Sequence, residues 1–398
     1  MKSTMPVLIM SAATILMAAS TVSTEPSDLT VHEWGTFTSV AGEDGSAVDW
    51  DALGCKDDVP GFVNDFGYRG FKWQLTGTVR METPVLYFYS SRELDAHVKV
   101  AFPHGLITEW YPQAEYEVYQ RSRSNGSVRR LAANLNGIDT SLRSLTGGIE
   151  WKSIKVQPDV SPPLPIESGM SRYYAARATD ATPITVGDQH EKFLFYRGVG
   201  RFPVPLSVRL TGDGKIVVEN RGHDSVPTAI LFENRGGRLG YRNAGAIEDA
   251  VTLDAPSLDG SFAVLRQDLE AALVAQGLFP REAQAMVETW RDSWFEEGSR
   301  LIYIVPSRTI DAVLPLQVEP VPSQTARVFV GRIELVTAET KLAVEEAIAK
   351  GDWSTINRYE RFLDPILKRI SSENPLKASQ VERVRQSIHR SLGTRKCR

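Results

Sequence analysis

Four short stretches set carboxylates beside aromatic or basic side chains: His32-Glu33-Trp34, Arg80-Met81-Glu82, Glu109-Trp110-Tyr111 and Trp294-Phe295-Glu296-Glu297. A carboxylate in such a setting can form an interface ion pair, grip a sugar hydroxyl, or serve as an acid of raised pKa. Glu33, Glu82, Glu109 and Glu296 are therefore the candidate catalytic groups. Trp34, Trp110 and Trp294, with Arg80, are the candidate ligand-binding groups, because a tryptophan face stacks on sugar rings while neighbouring acids take hydroxyl bonds. Glu296 and Glu297 are adjacent, so on a helix they diverge by about 100° and cannot form an acid/base pair alone. A glycosidase would need Glu296 opposite Glu33, Glu82 or Glu109. His32 and His104, each with a glutamate close in sequence, are the candidate metal ligands, with Glu109 as the third. His223-Asp224-Ser225 imitates a triad on paper, but adjacent residues point apart.

No phosphate loop, His-Glu-x-x-His, Gly-x-Ser-x-Gly or spaced Cys/His set is present. No pattern specifies a cofactor. The expectation is that His32, Glu33, Glu82 and Glu109 converge, with His104 joining them and Arg80 as counter-charge. Such a cluster is either a ligand site or a buried ion network that holds a sheet edge.

The elements that must position these residues are mostly strands. Val31–Val40 is dominated by β-branched and aromatic residues and predicts a strand, as do 84–89, 97–102 and 106–110. A second strand-rich region covers 192–196, 206–210 and 215–219, which suggests either a duplicated sandwich or two parts of one large sheet system. Phe262, Leu265, Leu269 and Leu273 fall at helical spacing, Gly277 supplies a C-cap and Pro280 can start a second helix. Strands return at 300–305 and 326–330, and three helices follow with breaks at Gly351 and Pro375. The expected fold is mainly β with α additions: one or two antiparallel, immunoglobulin-like sandwich units, an inserted helical hairpin and a helical C-terminus. The expected divisions are 1–20 (signal peptide), 21–111 (β), 112–190 (loop-rich), 191–256 (β), 257–298 (helical hairpin), 299–337 (returning strands) and 338–398 (helices).

The chain has 398 residues, 42% of them hydrophobic and 24% charged, with a formal charge of −4. That composition excludes a disordered or coiled-coil chain, and the absence of a basic excess argues against a nucleic-acid binder. Lys2 precedes an uncharged apolar run, Pro6–Ala19, followed by Ser20. A run of roughly fourteen residues ending in small side chains reads as a secretory signal peptide, too short for a membrane anchor. The mature chain is expected to start between Thr21 and Glu25, to be extracytoplasmic (periplasmic or secreted) and to have no integral membrane segment. In an oxidising compartment Cys55 and Cys397 are candidates for a disulfide across nearly the whole chain.

The stretches Val31-His32-Glu33-Trp34-Gly35-Thr36-Phe37-Thr38, Met81–Tyr89, Phe195–Gly200 and Trp294–Gly298 resemble those of an uncharacterised family of secreted bacterial proteins. The resemblance implies a bacterial exported protein and supplies no activity. Two readings follow. The first is an exported protein that binds a glycan or another envelope or extracellular polymer through tryptophan and carboxylate groups. The second is a carboxylate- or metal-dependent hydrolase or lyase, with a cleft between the β region and the helical hairpin.

Overall fold

The computed structural model describes residues 28–53, 59–65, 75–122, 126–131, 142–169 and 171–394. The segment 1–20, Cys55 and Cys397 lie outside the described residues, and so do the signal-peptide and disulfide expectations that rest on them.

Numbered in chain order, the first strands are β1 (Thr30–Val40), β2 (Asn64–Asp65), β3 (Val79–Tyr89), β4 (Leu94–Phe102), β5 (Gly105–Tyr111), β6 (Glu115–Arg121), β7 (Val128–Leu131), β8 (Leu145–Val156), β9 (Ile184–Val186) and β10 (Gln189–Glu191). They continue as β11 (Phe193–Gly200), β12 (Leu206–Leu210), β13 (Ile216–Asn220), β14 (Val226–Arg235), β15 (Arg238–Ile247), β16 (Ala250–Leu253), β17 (Gly298–Ile304), β18 (Leu316–Glu319) and β19 (Gln324–Leu335). The helices are α1 (Phe262–Ala275), α2 (Pro280–Trp294), α3 (Ser307–Val313), α4 (Ala338–Lys350), α5 (Trp353–Arg358), α6 (Leu363–Glu373) and α7 (Ala378–Thr394).

Nine strands form one sheet in the order β15-β14-β17-β19-β1-β3-β11-β5-β2, antiparallel except for the parallel β1–β19 pair. A sheet built on β10-β9-β8-β4-β18 and a three-stranded sheet β12-β13-β16 complete the β structure. The fold is thus mainly β and sandwich-like, with helices in the C-terminal part, as the residue periodicities require. Strands from both expected β regions are neighbours in the large sheet: β11 lies between β3 and β5. The regions 21–111 and 191–256 are therefore parts of one sheet system. The segment 112–190 is not chiefly loop either. Leu145–Val156 makes a long strand whose Ile149, Trp151, Ile154 and Val156 are buried, an apolar pattern that its glycines and lysines obscure in sequence.

The large sheet buries both faces. One face packs on the two smaller sheets through Val31, Phe37, Met81, Leu86, Trp110 and Trp151, among others. On the other face, α1 and α2 cover one end, where Trp34, Val85, Val328 and Ile302 meet Leu265, Met286 and Trp294. The C-terminal helices cover the opposite end, where Val40, Leu106, Val199 and Val336 meet Val344, Phe362 and Ile366. No helix among the described residues is long and apolar enough to cross a membrane.

The sheet is irregular in its middle. Opposite Gly35 of β1, strand β3 carries an extra residue between Glu82 and Val85, and Thr83 there adopts a left-handed φ of 45°. Strand β5 carries its own extra residue, Thr108, opposite the Arg197/Gly198 step of β11. Gly198 allows this close approach, since a Cβ there would lie 2.1 Å from the Leu106 carbonyl oxygen. Bulges of this kind reverse which face the following side chains occupy.

Candidate functional site

That reversal decides where the carboxylates go. Without the extra residue, Glu82 and Val85 would occupy opposite faces; with it, both turn to the helix-covered face. Thr108 does the same for Glu109, which shares that face with Tyr111 while Ile107 and Trp110 enter the sandwich core. The result is a polar seam between the two apolar plates of the helical side. Strand residues Thr36, Thr38, Arg80, Glu82, Arg300, Arg332 and Glu334 form its floor.

Three structural units meet in the seam. From the sheet, Glu82 is 1% exposed and lies 3.1 Å from Arg80 Nε. From the C-terminal helical region, Arg361 donates Nη1–H bonds to both Glu82 oxygens (3.0 and 3.3 Å) and to Ser293 Oγ (2.7 Å). From the end of α2, Glu296 accepts from Arg332 Nη2 at 2.8 Å and sits 3.9 Å from Arg361 Nε. Arg332 Nη1 also donates to the Ser293 carbonyl, and Arg300 donates to the carbonyls of Trp294, Glu296 and Glu297. Two guanidiniums thereby satisfy the last two carbonyls, of Ser293 and Trp294, at the negative end of α2. Arg300 is itself paired with Glu334 at 2.9 Å. Beside the seam, Arg197 Nη2 donates to Glu109 at 2.7 Å, and the Thr108 hydroxyl donates to the same carboxylate.

The electrostatics follow from this geometry. Burial pushes the Glu82 carboxyl up, but Arg361, Arg80 and Arg332 outweigh it and leave its pKa below the ordinary value. For Glu296 burial is again outweighed, by Arg361, Arg332 and Arg300, and its pKa falls to about 2. Glu82 and Glu296 thus share Arg361 as a neighbour, and they are two of the carboxylates a glycosidase would have to pair. Both carboxyls are held ionised, however, whereas hydrolysis needs one of them protonated with a raised pKa.

The other expected residues are dispersed. His32 and Glu33 are adjacent on a regular part of β1 and point to opposite faces. His32 lies against α2, where its Nδ1 meets Glu282 at 2.8 Å; Glu282 also accepts from Tyr89 (2.7 Å) and from the Phe279 backbone N–H (2.7 Å). Glu33 enters the sandwich face, with Arg327 Nε at 2.7 Å and the Tyr196 hydroxyl. The convergence expected of His32, Glu33, Glu82 and Glu109 is therefore corrected: Glu33 enters the opposite face, and His32, though on the helix-covered face, is held under α2 by Glu282, away from the partners of Glu82 and Glu109. His104 sits exposed in the β4–β5 turn, next to Gly105, which strand register sets level with Ser39. It lies about 20 Å along the strand direction from His32. The two histidines do not meet, and among the described residues no group of three or more potential metal ligands forms.

Trp34, Trp110 and Trp294 are corrected as well. Each is buried, Trp34 and Trp294 beneath the hairpin and Trp110 within the sandwich, so none offers a face for stacking. Sequence reasoning missed Arg300, Arg332, Glu334, Arg361, Ser293 and Glu282. The one available signal was Arg332-Ile333-Glu334, two charges at strand spacing inside an apolar run.

A solvent-open cleft of about 340 Å³ lies beside the seam, between the ends of β14 and β17 and the helices α4 and α5. Glu233, Asn234, Arg235, Glu297, Asp352 and Tyr359 are among its lining residues. Glu297 accepts from the Gly236 backbone N–H, and the buried Asn234 Oδ1 has no hydrogen-bond partner among the described residues. Trp353, 44% exposed, follows Asp352 at the start of α5.

Neither a family model nor a curated protein matches the chain. Among solved structures, it is similar to the yeast delta-COP-I mu-homology domain, alone and complexed with a Dsl1 WxWxV peptide. In both cases the likeness covers 78% of this chain and 97% of the other, at 9% identity and a TM-score of 0.25. A likeness that slight carries no argument. The fold and site define a β-rich protein whose central polar seam is an ion network and whose solvent-open cleft lies beside it.

Proposed function

We propose that the protein is exported and binds a glycan or a related envelope polymer in the cleft beside the seam. The observation that carries this reading is the lining of the cleft. Carboxylate, amide and guanidinium groups on Glu297, Asp352, Asn234 and Arg235 are planar and polar, and they suit neighbouring sugar hydroxyls that both donate and accept. The volume falls in the range of small-ligand sites, about 300–1,000 Å³. Trp353, exposed and next in sequence to the lining residue Asp352, is the aromatic surface this reading assigns in place of the buried tryptophans. Export rests on the signal-like start of the chain and on the resemblance to secreted bacterial proteins. The ionised state of Glu82 and Glu296 favours binding over hydrolysis.

The test uses full-length protein against a panel of envelope and extracellular polysaccharides, with affinity measured by calorimetry. Trp353→Ala and Glu297→Gln should each weaken binding about tenfold, equivalent to about 1.4 kcal/mol, with little change in Tm. If no polysaccharide binds, or if both variants bind as well as the parent, the reading fails.

A further inference from the structure

Three fully buried polar atoms in the seam have no hydrogen-bond partner among the described residues: Thr36 Oγ1, Thr38 Oγ1 and Arg332 Nε. A buried donor or acceptor left unpaired is a standing cost to the fold, so each such group calls for a partner. Thr38 and Arg332 are directly opposed across the β1–β19 pair, and Thr36 lies two residues along β1 on the same face. Strand register therefore sets the three side chains next to one another on the floor of the seam. Arg332 Nε–H can only donate, and the two hydroxyls can turn their protons the same way.

The Arg332 charge is incompletely offset where it sits. Burial and the neighbouring Arg300 guanidinium hold Arg332 below its ordinary pKa, even though Glu296 and Glu334 both contact it. Negative charge beside Nε would relieve that strain.

We propose that the seam binds a monoatomic monovalent anion, such as chloride or bromide, held by Arg332 Nε–H and the hydroxyls of Thr36 and Thr38. An oxyanion fits poorly, because it grips a guanidinium through two parallel N–H groups. Here Nη1 is committed to Ser293 and Nη2 to Glu296 and Glu334. The Phe362 ring stacks against the guanidinium, 4.8 Å from its carbon. The bound ion ties β1 to β19, whose paired residues lie 294 positions apart in the chain. This site is independent of the cleft and of whatever the cleft binds.

Thermal unfolding of the full chain is followed while sodium bromide replaces sodium gluconate at constant ionic strength. Ligand that binds only the folded state raises Tm in a saturable way, and such a rise is the expected result. The Thr36→Val/Thr38→Val double variant keeps side-chain shape and strand preference while removing both hydroxyls. It should fold with a Tm in gluconate no lower than the parent's, and it should lose the bromide response. Crystals grown in bromide should show an anomalous peak within hydrogen-bond reach of Arg332 Nε. If the parent shows no saturable rise, ordered water satisfies these donors and the proposal is overturned. An equal rise in parent and variant places the halide elsewhere and overturns it too.

Discussion

Replacing Glu82 by Gln probes the seam at its centre. The carboxylate is 1% exposed and receives Arg361 at 3.0 and 3.3 Å and Arg80 at 3.1 Å. Glutamine keeps the volume and one acceptor oxygen, but it removes the charge and turns an NH2 group toward guanidiniums. Removing one partner from a buried pair costs about 3–5 kcal/mol, and the retained oxygen places this change near about 3 kcal/mol. Urea unfolding followed by circular dichroism at pH 7 measures that loss. Acid supplies a second reading of the same quantity. Because the folded pKa of Glu82 lies below its unfolded value of 4.5, its contribution is complete above pH 4.5 and is lost as pH falls through the folded value. The gap between parent and variant should therefore close in acid. A double cycle with Arg361→Gln should return a coupling of at least about 1 kcal/mol. A loss at pH 7 below about 1 kcal/mol, or a gap that stays constant down to pH 3, would refute the reasoning.

Glu296 governs an acid window of its own: its pKa of about 2 in the fold, against 4.5 when unfolded, makes stability fall steadily between those two values. Glu296→Gln should flatten that limb in a pH series of Tm values and lower stability at pH 7 by at most about 3 kcal/mol. Glu282→Gln removes the charge that receives His32, Tyr89 and the Phe279 backbone, and should cost about 2–4 kcal/mol. Hydrogen exchange should show the loss first as faster opening of α1 and α2, and protection that is unchanged there would contradict this role for Glu282.

Much of the local structure was legible in the residues themselves. The apolar and β-branched run from Val31 to Val40 is a strand, and the spacing of Leu265, Leu269 and Leu273 with Gly277 and Pro280 is a helical hairpin. These follow from side-chain periodicity and cap chemistry, which act within a few residues. The closeness of Arg80 to Glu82 was legible for the same reason, because residues two apart on a strand share a face. The strand Leu145–Val156 escaped notice because Gly147, Gly148 and Lys152 break its apolar rhythm.

Which carboxylates gather, and around what, was settled only by the tertiary structure. The parity of a strand assigns faces relative to its own residues, and a single extra residue at Thr83-Pro84 or at Thr108 reverses it. Glu82 and Glu109 reach the seam through those reversals, while Glu33, on a regular stretch, enters the opposite face. Strand order is equally nonlocal: β1 pairs with β19 from near the other end of the chain, which sets Thr38 against Arg332. Arg361 then arrives from a turn 279 residues away from Glu82. Trp34, Trp110 and Trp294 look like binding surfaces in a list of residues, yet the packing of two layers on the sheet buries all three. Local periodicity sets the elements; the choice of neighbours, and with it the charge each buried group must face, comes from how those elements close on one another.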